Sequence, residues 1–80
     1  MLSIRIISPE QLLFDGQVLS AYLPGSVFPF EVLNDHAPII STLEEGKIVL
    51  KKTDGSVEEI AVKSGVVRVD NNLITVCMEK

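Results

Sequence analysis

The stretch KIVLKKTDGSVEEI, residues 47–60, contains the clearest structural signal in the chain. Ile48 and Leu50 lie two residues apart between Lys47 and Lys51, which is the period of a strand with one buried and one solvated side. The Asp54-Gly55 pair accepts the positive φ angles of a two-residue type I′ turn, so the segment predicts a β-hairpin. The lysines before this turn and the glutamates after it can pair across the two strands.

Turn residues recur along the whole chain, with roughly 5–9 residues between them, a spacing typical of short antiparallel strands. They fall at Ser8-Pro9, Asp15-Gly16, Pro24-Gly25, Asn34-Asp35, Gly46, Asp54-Gly55, Ser64-Gly65 and Asp70-Asn71-Asn72. The last of them predicts a second hairpin, between residues 66–69 and 73–76. No convincing helical apolar period extends over ten residues, so we expect an all-β domain of eight to ten short strands.

The composition supports a packed β core. The 80 residues are 46% hydrophobic and 22% charged, which favours a folded domain over intrinsic disorder. Val and Ile, which fit a pleated sheet, far outnumber Ala and Met. We therefore predict a two-layer β-sandwich with negligible helix. Its interior should include Ile6, Val18, Val32, Ile48, Ile60, Val62, Val69 and Val76, which alternate between turn signals.

Charge and cysteine content narrow the function classes. A formal net charge of −4 disfavours binding to nucleic acid, which relies on Lys and Arg. The single cysteine, Cys77, cannot form an internal disulfide, so we expect a reducing cytoplasm and a buried apolar role for this thiol. The sequence contains neither a signal peptide nor an apolar run of about 20 residues, which predicts that partners hold the protein at any membrane where it works.

Catalytic and ligand-binding chemistry has little support. His36 is the only histidine and has no nucleophile at a recognisable spacing, so it is expected to be a hydrogen-bonded loop or strand-end residue. We predict no metal, because one His and one Cys that are far apart make no ligand cluster. The glycines are scattered, which predicts no nucleotide site and no cofactor. The pairs Glu44-Glu45 and Glu58-Glu59 are interpreted as solvated charges.

A contact surface is predicted beside the Pro24-Gly25 turn. Two of the three phenylalanines, Phe28 and Phe30, follow this turn, and at least one of them should fill the sandwich interior. Val27 and Pro29 have the opposite phase and should face outward. An exposed apolar residue and a proline near a strand edge are typical of a partner site.

The order of the motifs resembles the epsilon subunit family of rotary, F-type ATP synthases over nearly the whole chain. The motifs are Ser8-Pro9-Glu10, Phe14-x-Gly16-x-Val18, Leu23-Pro24-Gly25, Val32-Leu33-x-x-His36-Ala37-Pro38-Ile39-Ile40-x-x-Leu43-x-x-Gly46, Ile60-Ala61-Val62-x-Ser64-Gly65-x-x-x-Val69 and Ile74-Thr75-Val76. The His-Ala-Pro core with its flanks is the most specific part. Glu31 and Asn34 stand where family members commonly have Gly and Pro, so local loop geometry should differ.

The resemblance implies a flattened antiparallel β-sandwich of about ten short strands that spans residues 1–80 as an amino-terminal domain, with the family's carboxy-terminal helical domain absent from this chain. It implies a non-catalytic rotor subunit, present in one copy, that couples the gamma subunit to the c-subunit ring of a proton-translocating synthase. Such a subunit is peripheral, at the cytoplasmic face of the bacterial inner membrane, and is not itself inserted.

The family resemblance also implies two sets of partner-binding residues. Ser26, Val27, Phe28, Pro29 and Phe30 are expected on the c-ring side, and His36, Ser41 and Thr42 on the gamma side.

Two other functions stay open at this stage. The first is a free-standing β-sandwich adapter that binds a protein by edge-strand addition, which an unpaired, uncharged edge strand would favour. The second is a small enzyme or carrier that uses His36, which a pocket around that residue would favour.

Overall fold

A computed structural model describes residues 1–79, which form eight β-strands and no helix. The strands are β1 (Leu2–Ile7), β2 (Leu12–Leu23), β3 (Phe30–Val32), β4 (Ile39–Leu43), β5 (Gly46–Lys52), β6 (Val57–Val62), β7 (Ser64–Asp70) and β8 (Leu73–Glu79). The all-β class and the negligible helix content are confirmed. The strand count, eight within these residues, is within the eight to ten expected from the turn signals and is lower than the ten or so that the family resemblance implies.

The count is lower partly because Asp15-Gly16 is not a turn. It lies inside β2, where Gly16 pairs with Ile4 of β1. Phe14 lies on the same side of the strand, and its ring would be 3.6 Å from a Cβ placed at Gly16. The aromatic ring therefore covers the position where the glycine lacks a side chain, so a strand can continue through a residue that usually weakens one.

β2 is long enough to serve two sets of neighbours. Val18 pairs with Leu2 of β1 and with Lys52 of β5, so β1 and β5 lie on opposite edges of β2. The later part of β2 also pairs with β3, through residues 21–23. Because Tyr22 pairs with both β3 and β5, β3 follows β1 along the same edge.

The strand order is β4-β7-β8-β1-β2-β5-β6, with β3 added beside β2. All pairs in this sheet are antiparallel except β1 with β8, which is parallel. An isolated bridge joins Gly25, just after β2, to Leu43 at the end of β4. This bridge brings two distant parts of the strand order together, so the sheet folds back on itself into two layers.

The core lies between these layers, and every strand contributes to it. The buried hydrophobic residues are Leu2, Ile4, Ile6, Val18, Ala21, Leu23, Val32, Leu43, Ile48, Leu50, Val62, Val67, Val69, Ile74, Val76 and Met78. The predicted interior is confirmed, with the difference that Ile60 is only partly buried against the cluster. Within residues 1–79 no polar or charged residue is buried, so apolar packing dominates this core.

The hairpin between β5 and β6 forms where the sequence predicts it, but its turn is different. Gly55 N donates to Lys52 O at 2.9 Å, which closes a turn over Thr53 and Asp54. Gly55, the next residue, is the one loop residue with a positive φ, which is 90°. The prediction of a two-residue type I′ turn at Asp54-Gly55 is therefore wrong, because a three-residue loop with glycine in the left-handed region fits this hairpin.

Side chains at this hairpin form the ion pairs that the sequence predicts. Lys52 Nζ lies 2.7 Å from Glu58 Oε1, and this hydrogen bond raises the pKa of Lys52. Hydrogen bonds that Ser56 donates from its hydroxyl and backbone N–H lower the pKa of Asp54. Asp54 and Ser56 are exposed, and Lys52 and Glu58 are half-buried at the surface, so these contacts contribute little to stability.

A type I′ turn is present elsewhere, between β7 and β8. Asp70 pairs with Leu73, which leaves Asn71 and Asn72 as the two loop residues, and their φ angles are 51° and 60°. Asparagine tolerates this left-handed region better than most residues. The second predicted hairpin is thus confirmed, with a tighter loop than the sequence suggested.

Cys77 is exposed, so the prediction of a buried thiol is wrong. Its neighbours Val76 and Met78 point into the core, and a strand alternates its side chains between the two faces. The phase of β8 therefore places Cys77 on the outer face, where it pairs with Val66 of β7.

Candidate protein-binding surface

The loop between β2 and β3, residues 24–29, has a fixed base and an exposed tip. Ser26 N donates to Thr42 O, and Glu44 N donates to Pro24 O, each at 2.9 Å. Pro24 and Gly25 are buried, whereas residues 26–29 are exposed. The loop is therefore attached to β4 at its base while its tip projects into solvent.

The tip carries apolar side chains that the base supports. Val27 is 87% exposed and Phe28 is 60% exposed. Phe30 packs partly buried against the core, and its ring meets that of Phe28 edge-on, with centroids 6.4 Å apart. The predicted outward phase of Val27 and Pro29 is confirmed. Of the two phenylalanines, at least one of which was expected in the interior, Phe30 packs partly buried against the core and Phe28 does not. The tip is an apolar projection that rests on a partly buried aromatic ring.

His36 lies in a second loop, residues 33–38, between β3 and β4. Its backbone N donates to Leu33 O at 3.2 Å, and its Nδ1 lies 2.7 Å from Ala37 O. The preceding residue, Asp35, has a φ of 66°. The structure thus places His36 in a hydrogen-bonded loop, as the sequence predicts.

Asn72 fixes this second loop to the turn between β7 and β8. Asp35 N donates to Asn72 Oδ1 at 2.6 Å, and Asn72 Nδ2 donates to Asp35 Oδ1 at 3.1 Å. Asn72 O also accepts a hydrogen bond from Ser3 N at 2.9 Å. One turn residue therefore holds both the His36 loop and the start of β1.

We expect Asn72→Gly to lower the free energy of unfolding by about 1 kcal/mol, because it removes two side-chain hydrogen bonds while keeping a residue that accepts positive φ. Hydrogen exchange should become faster in residues 33–38. Asn71→Gly is the matched control, since it changes the other turn residue in the same backbone region, and it should alter stability by a few tenths of a kcal/mol. If urea denaturation gives the same change in stability for the two variants, the Asn72 side chain does not hold residues 33–38 in place.

Ser41 and Thr42 lie on β4, between the two loops. Ser41 is half-buried and donates its hydroxyl to Thr42 O at 3.0 Å, whereas Thr42 is exposed. Thr42 O is also the acceptor for Ser26 N. The structure therefore brings Ser26 and Thr42 together, although the family resemblance implies different partners for them, and it places His36 beyond the opposite end of β4.

The candidate residues form one continuous region around β4. Sequence analysis missed two apolar members of it, Ile40 at 73% exposure and Leu33 at 54%. A signal for Ile40 was present, because it is out of phase with Leu43, which is buried. Two adjacent isoleucines cannot both face the interior of one strand.

Within residues 1–79, the structure gives little support for a metal site or for a pocket at His36. Among residues 1–79 no group of three His, Cys, Asp or Glu side chains is arranged to hold a metal ion. The described chain likewise has no helix of the length and apolar character needed to cross a membrane. A cleft of about 520 Å³ is lined by residues 7–9, 64–65 and 77–79; His36 is not part of it.

Comparison with known families gives a match over the full sequence. Residues 1–80 match the family described as "ATP synthase, Delta/Epsilon chain, beta-sandwich domain". The chain is 40% identical over 75 residues to the ATP synthase epsilon chain of a Sulfurovum species and 38% identical over 78 residues to that of Sulfurimonas denitrificans. These alignments cover 94% and 98% of this chain but 59% and 60% of the relatives, so the chain spans about three-fifths of their length.

Solved structures show the same fold. A chain of the mitochondrial ATP synthase of Euglena gracilis, solved with its c-ring, matches with a TM-score of 0.92 and 11% identity, covering 99% of this chain and 51% of the other. A chain of the Tetrahymena thermophila synthase, from its central stalk and c-ring, matches with a TM-score of 0.79 and 13% identity, covering 99% and 63%. With the family match over all 80 residues, the sandwich described above belongs to the beta-sandwich domain family of ATP synthase delta and epsilon chains.

Proposed function

We propose that this chain is a non-catalytic rotor subunit of a proton-translocating ATP synthase, which couples the gamma subunit to the c-ring during ATP synthesis. The observation that carries the proposal is the family match over residues 1–80, together with relatives named as ATP synthase epsilon chains. Because the chain spans only part of those relatives, its place in the enzyme needs a direct test.

The shape of the molecule suits a coupling role. A coupling element must transmit rotation without deforming, and a closely packed sandwich is stiff. Here the projecting loop is hydrogen-bonded to β4 at its base, and β4 is in turn paired with β7 along five residues. A load applied at the loop tip therefore reaches the body through backbone hydrogen bonds.

The two partners are assigned to the two parts of the region around β4. Under this proposal the apolar tip, Ser26 to Phe30, contacts the c-ring, and His36, Ser41 and Thr42 contact gamma. The subunit is then peripheral at the cytoplasmic face of the bacterial inner membrane and is held there by these contacts. No cofactor or metal takes part in them.

The experiment that tests the role is copurification from the native cells. The tagged chain should bring down gamma and the other synthase subunits when membranes are gently solubilised. Recovery of the chain with an unrelated complex, and without synthase subunits, would refute the proposal.

A pair of charge variants tests the ring contact. Val27→Asp and Pro29→Asp place carboxylates on the exposed tip and should weaken rotor assembly by roughly fivefold or more, because truncating or charging a packed apolar anchor costs more than about 1 kcal/mol. Assembly and proton-driven ATP synthesis are measured in membranes, and circular dichroism confirms that the variants fold.

Glu58→Ala and Glu59→Ala are the controls for this experiment. Both residues lie on β6 and form only exposed ion pairs with Lys52 and Lys47, so they should change assembly very little. If the tip variants assemble and couple as well as these do, the c-ring contact does not lie at the tip.

The adapter hypothesis has one observation in its favour, which is that the outer edge of β4 is uncharged and only partly hydrogen-bonded. A free-standing adapter would bind its partner in cells that lack the other synthase subunits. Copurification from such cells distinguishes the two functions, because only a rotor subunit depends on gamma and would lose its association with the membrane.

A further inference from the structure

β4 is an end strand, and one of its two edges is only partly used. Its inner edge pairs with β7 from Ile39 to Leu43. On the outer edge, Thr42 O and Glu44 N bond to the base of the 24–29 loop. The backbone groups of a strand alternate between its edges, so Ile40, two residues before Thr42, also directs its N–H and C=O to the outer edge.

Three backbone groups on this outer edge thus take no part in the hydrogen bonds to the loop base. They are the N–H and C=O of Ile40 and the N–H of Thr42. In the described part of the chain, β4 has β7 as its only strand neighbour, and the loop base bonds to the edge at Thr42 O and Glu44 N. Exposed donors and acceptors in such a row are a template for another strand.

The side chains along β4 carry no charge that would oppose such pairing. Residues 37–43 have no charged side chain, and Ile40 is 73% exposed. The other edges differ, since β6 carries Glu58 and Glu59 and β3 carries Glu31. Natural sheets commonly protect free edges with charges, so the uncharged edge of β4 is the one suited to pairing.

A hollow lies beside Ile40, over the start of β4 and the end of β7. It measures about 350 Å³ and is lined by Pro38, Ile39, Ile40, Arg68, Val69 and Asp70. Arg68 lies directly opposite Ile40 across β4 and β7, and Asp70 Oδ2 lies 3.8 Å from its guanidinium. A strand on the outer edge of β4 could place only a long apolar side chain in this hollow, by reaching across Ile40.

From this geometry we infer that the outer edge of β4 binds an extended strand of the partner on this side of the sandwich, which under the proposed function is the gamma subunit. The inference rests on the proposed function for the identity of the partner. The chemistry of the site, a row of backbone donors and acceptors, selects an extended polypeptide over a helix or a small molecule. The pairing is short, so it fixes the position of the partner within a larger interface.

Proline variants test the pairing, because proline removes a backbone N–H. Ile40→Pro and Thr42→Pro each delete an outward donor and leave the bonds from β4 to β7 in place, and proline is tolerated where the N–H of an edge strand faces solvent. Each variant should weaken binding to the purified gamma subunit by about tenfold, as expected when a hydrogen bond is lost at a buried interface. Thr42→Ala keeps the N–H and removes only the side chain, so Thr42→Pro should bind gamma markedly more weakly than Thr42→Ala does.

Val57→Pro is the matched control on the other free edge. Lys52 N donates to Ser56 O, so the following pair, Lys51 and Val57, directs its backbone groups away from each other. Val57→Pro therefore also removes an outward N–H from an exposed apolar residue, and it should leave binding to gamma within about twofold of wild type.

Hydrogen exchange of the wild-type chain gives an independent result that does not depend on a variant folding. The amides of Ile40 and Thr42 should exchange fast in the free chain and become protected in the gamma complex. Unchanged exchange at both amides, or proline variants that bind as well as wild type, would overturn the inference. A dimer of the free chain that Ile40→Pro abolishes without affecting gamma would also overturn it. A wild-type chain that fails to bind gamma at all refutes the proposed function instead.

Discussion

Ile4→Ala is expected to lower the free energy of unfolding by about 2–5 kcal/mol, with a value in the upper half of this range. Ile4 is fully buried at the centre of the sheet, paired with Ile74 on one side and with Gly16 on the other. Gly16 has no side chain that could move into the space, and the neighbouring Phe14 ring already covers Gly16, so the cavity can collapse only in part. An 80-residue domain has about 4–12 kcal/mol of stability in total, so this variant could be largely unfolded.

Ile40→Ala is the control for this prediction, because it removes the same atoms from a side chain that is 73% exposed. We expect it to change stability by less than about 0.5 kcal/mol. Urea denaturation followed by circular dichroism measures both variants. Similar midpoints would show that Ile4 does not lie in the core described here.

Gly25→Ala should lower the free energy of unfolding by about 1–3 kcal/mol and weaken partner binding. A Cβ at this position would lie 2.5 Å from Phe28 O and 2.9 Å from the Phe30 ring. Phe28 O belongs to the backbone and cannot rotate away, so either the tip shifts or the bridge from Gly25 to Leu43 breaks. Both outcomes displace the projecting loop.

Gly16→Ala is the matched control. The nearest atoms to a Cβ there are those of the Phe14 ring at 3.6 Å, an ordinary contact distance, so the change in stability should stay within about 0.5 kcal/mol. Denaturation and rotor assembly are compared for the two variants. If Gly25→Ala is as stable and as well assembled as Gly16→Ala, the loop base is not the support that the structure suggests.

The core could be predicted from the sequence because strand periodicity is a local property. Val69, for example, lies between the charged residues Arg68 and Asp70, and it is buried. Turn residues were less reliable guides. Asp15-Gly16 lies within a strand because the Phe14 ring covers the glycine, and the two hairpin turns differ in type because loop length, which no single dipeptide determines, selects the turn.

The arrangement of the candidate surface could not be predicted from local patterns. Ser26 and Thr42 are bonded to each other, but only a contact between segments that are distant in sequence brings them together. The burial of Cys77 was misjudged for a related reason, since an apolar sequence around a residue does not reveal which face of the strand it occupies. The family resemblance implied which segments bind partners, and the fold shows that these segments lie on β4 or in the loops next to it.

The parallel pairing of β1 with β8 has a consequence for how the chain folds. Ile4 pairs with Ile74, so β1 cannot pair with β8 until about 70 more residues have been synthesised. Closing such a long loop costs chain entropy before the stabilising contacts form. Sheets with many non-local pairs accordingly fold in milliseconds to seconds. On the ribosome, β1 can pair with β2 early, but its second edge stays open until β8 emerges. The nascent chain therefore exposes the strand that later becomes the centre of the sheet, and this interval is when aggregation is most dangerous.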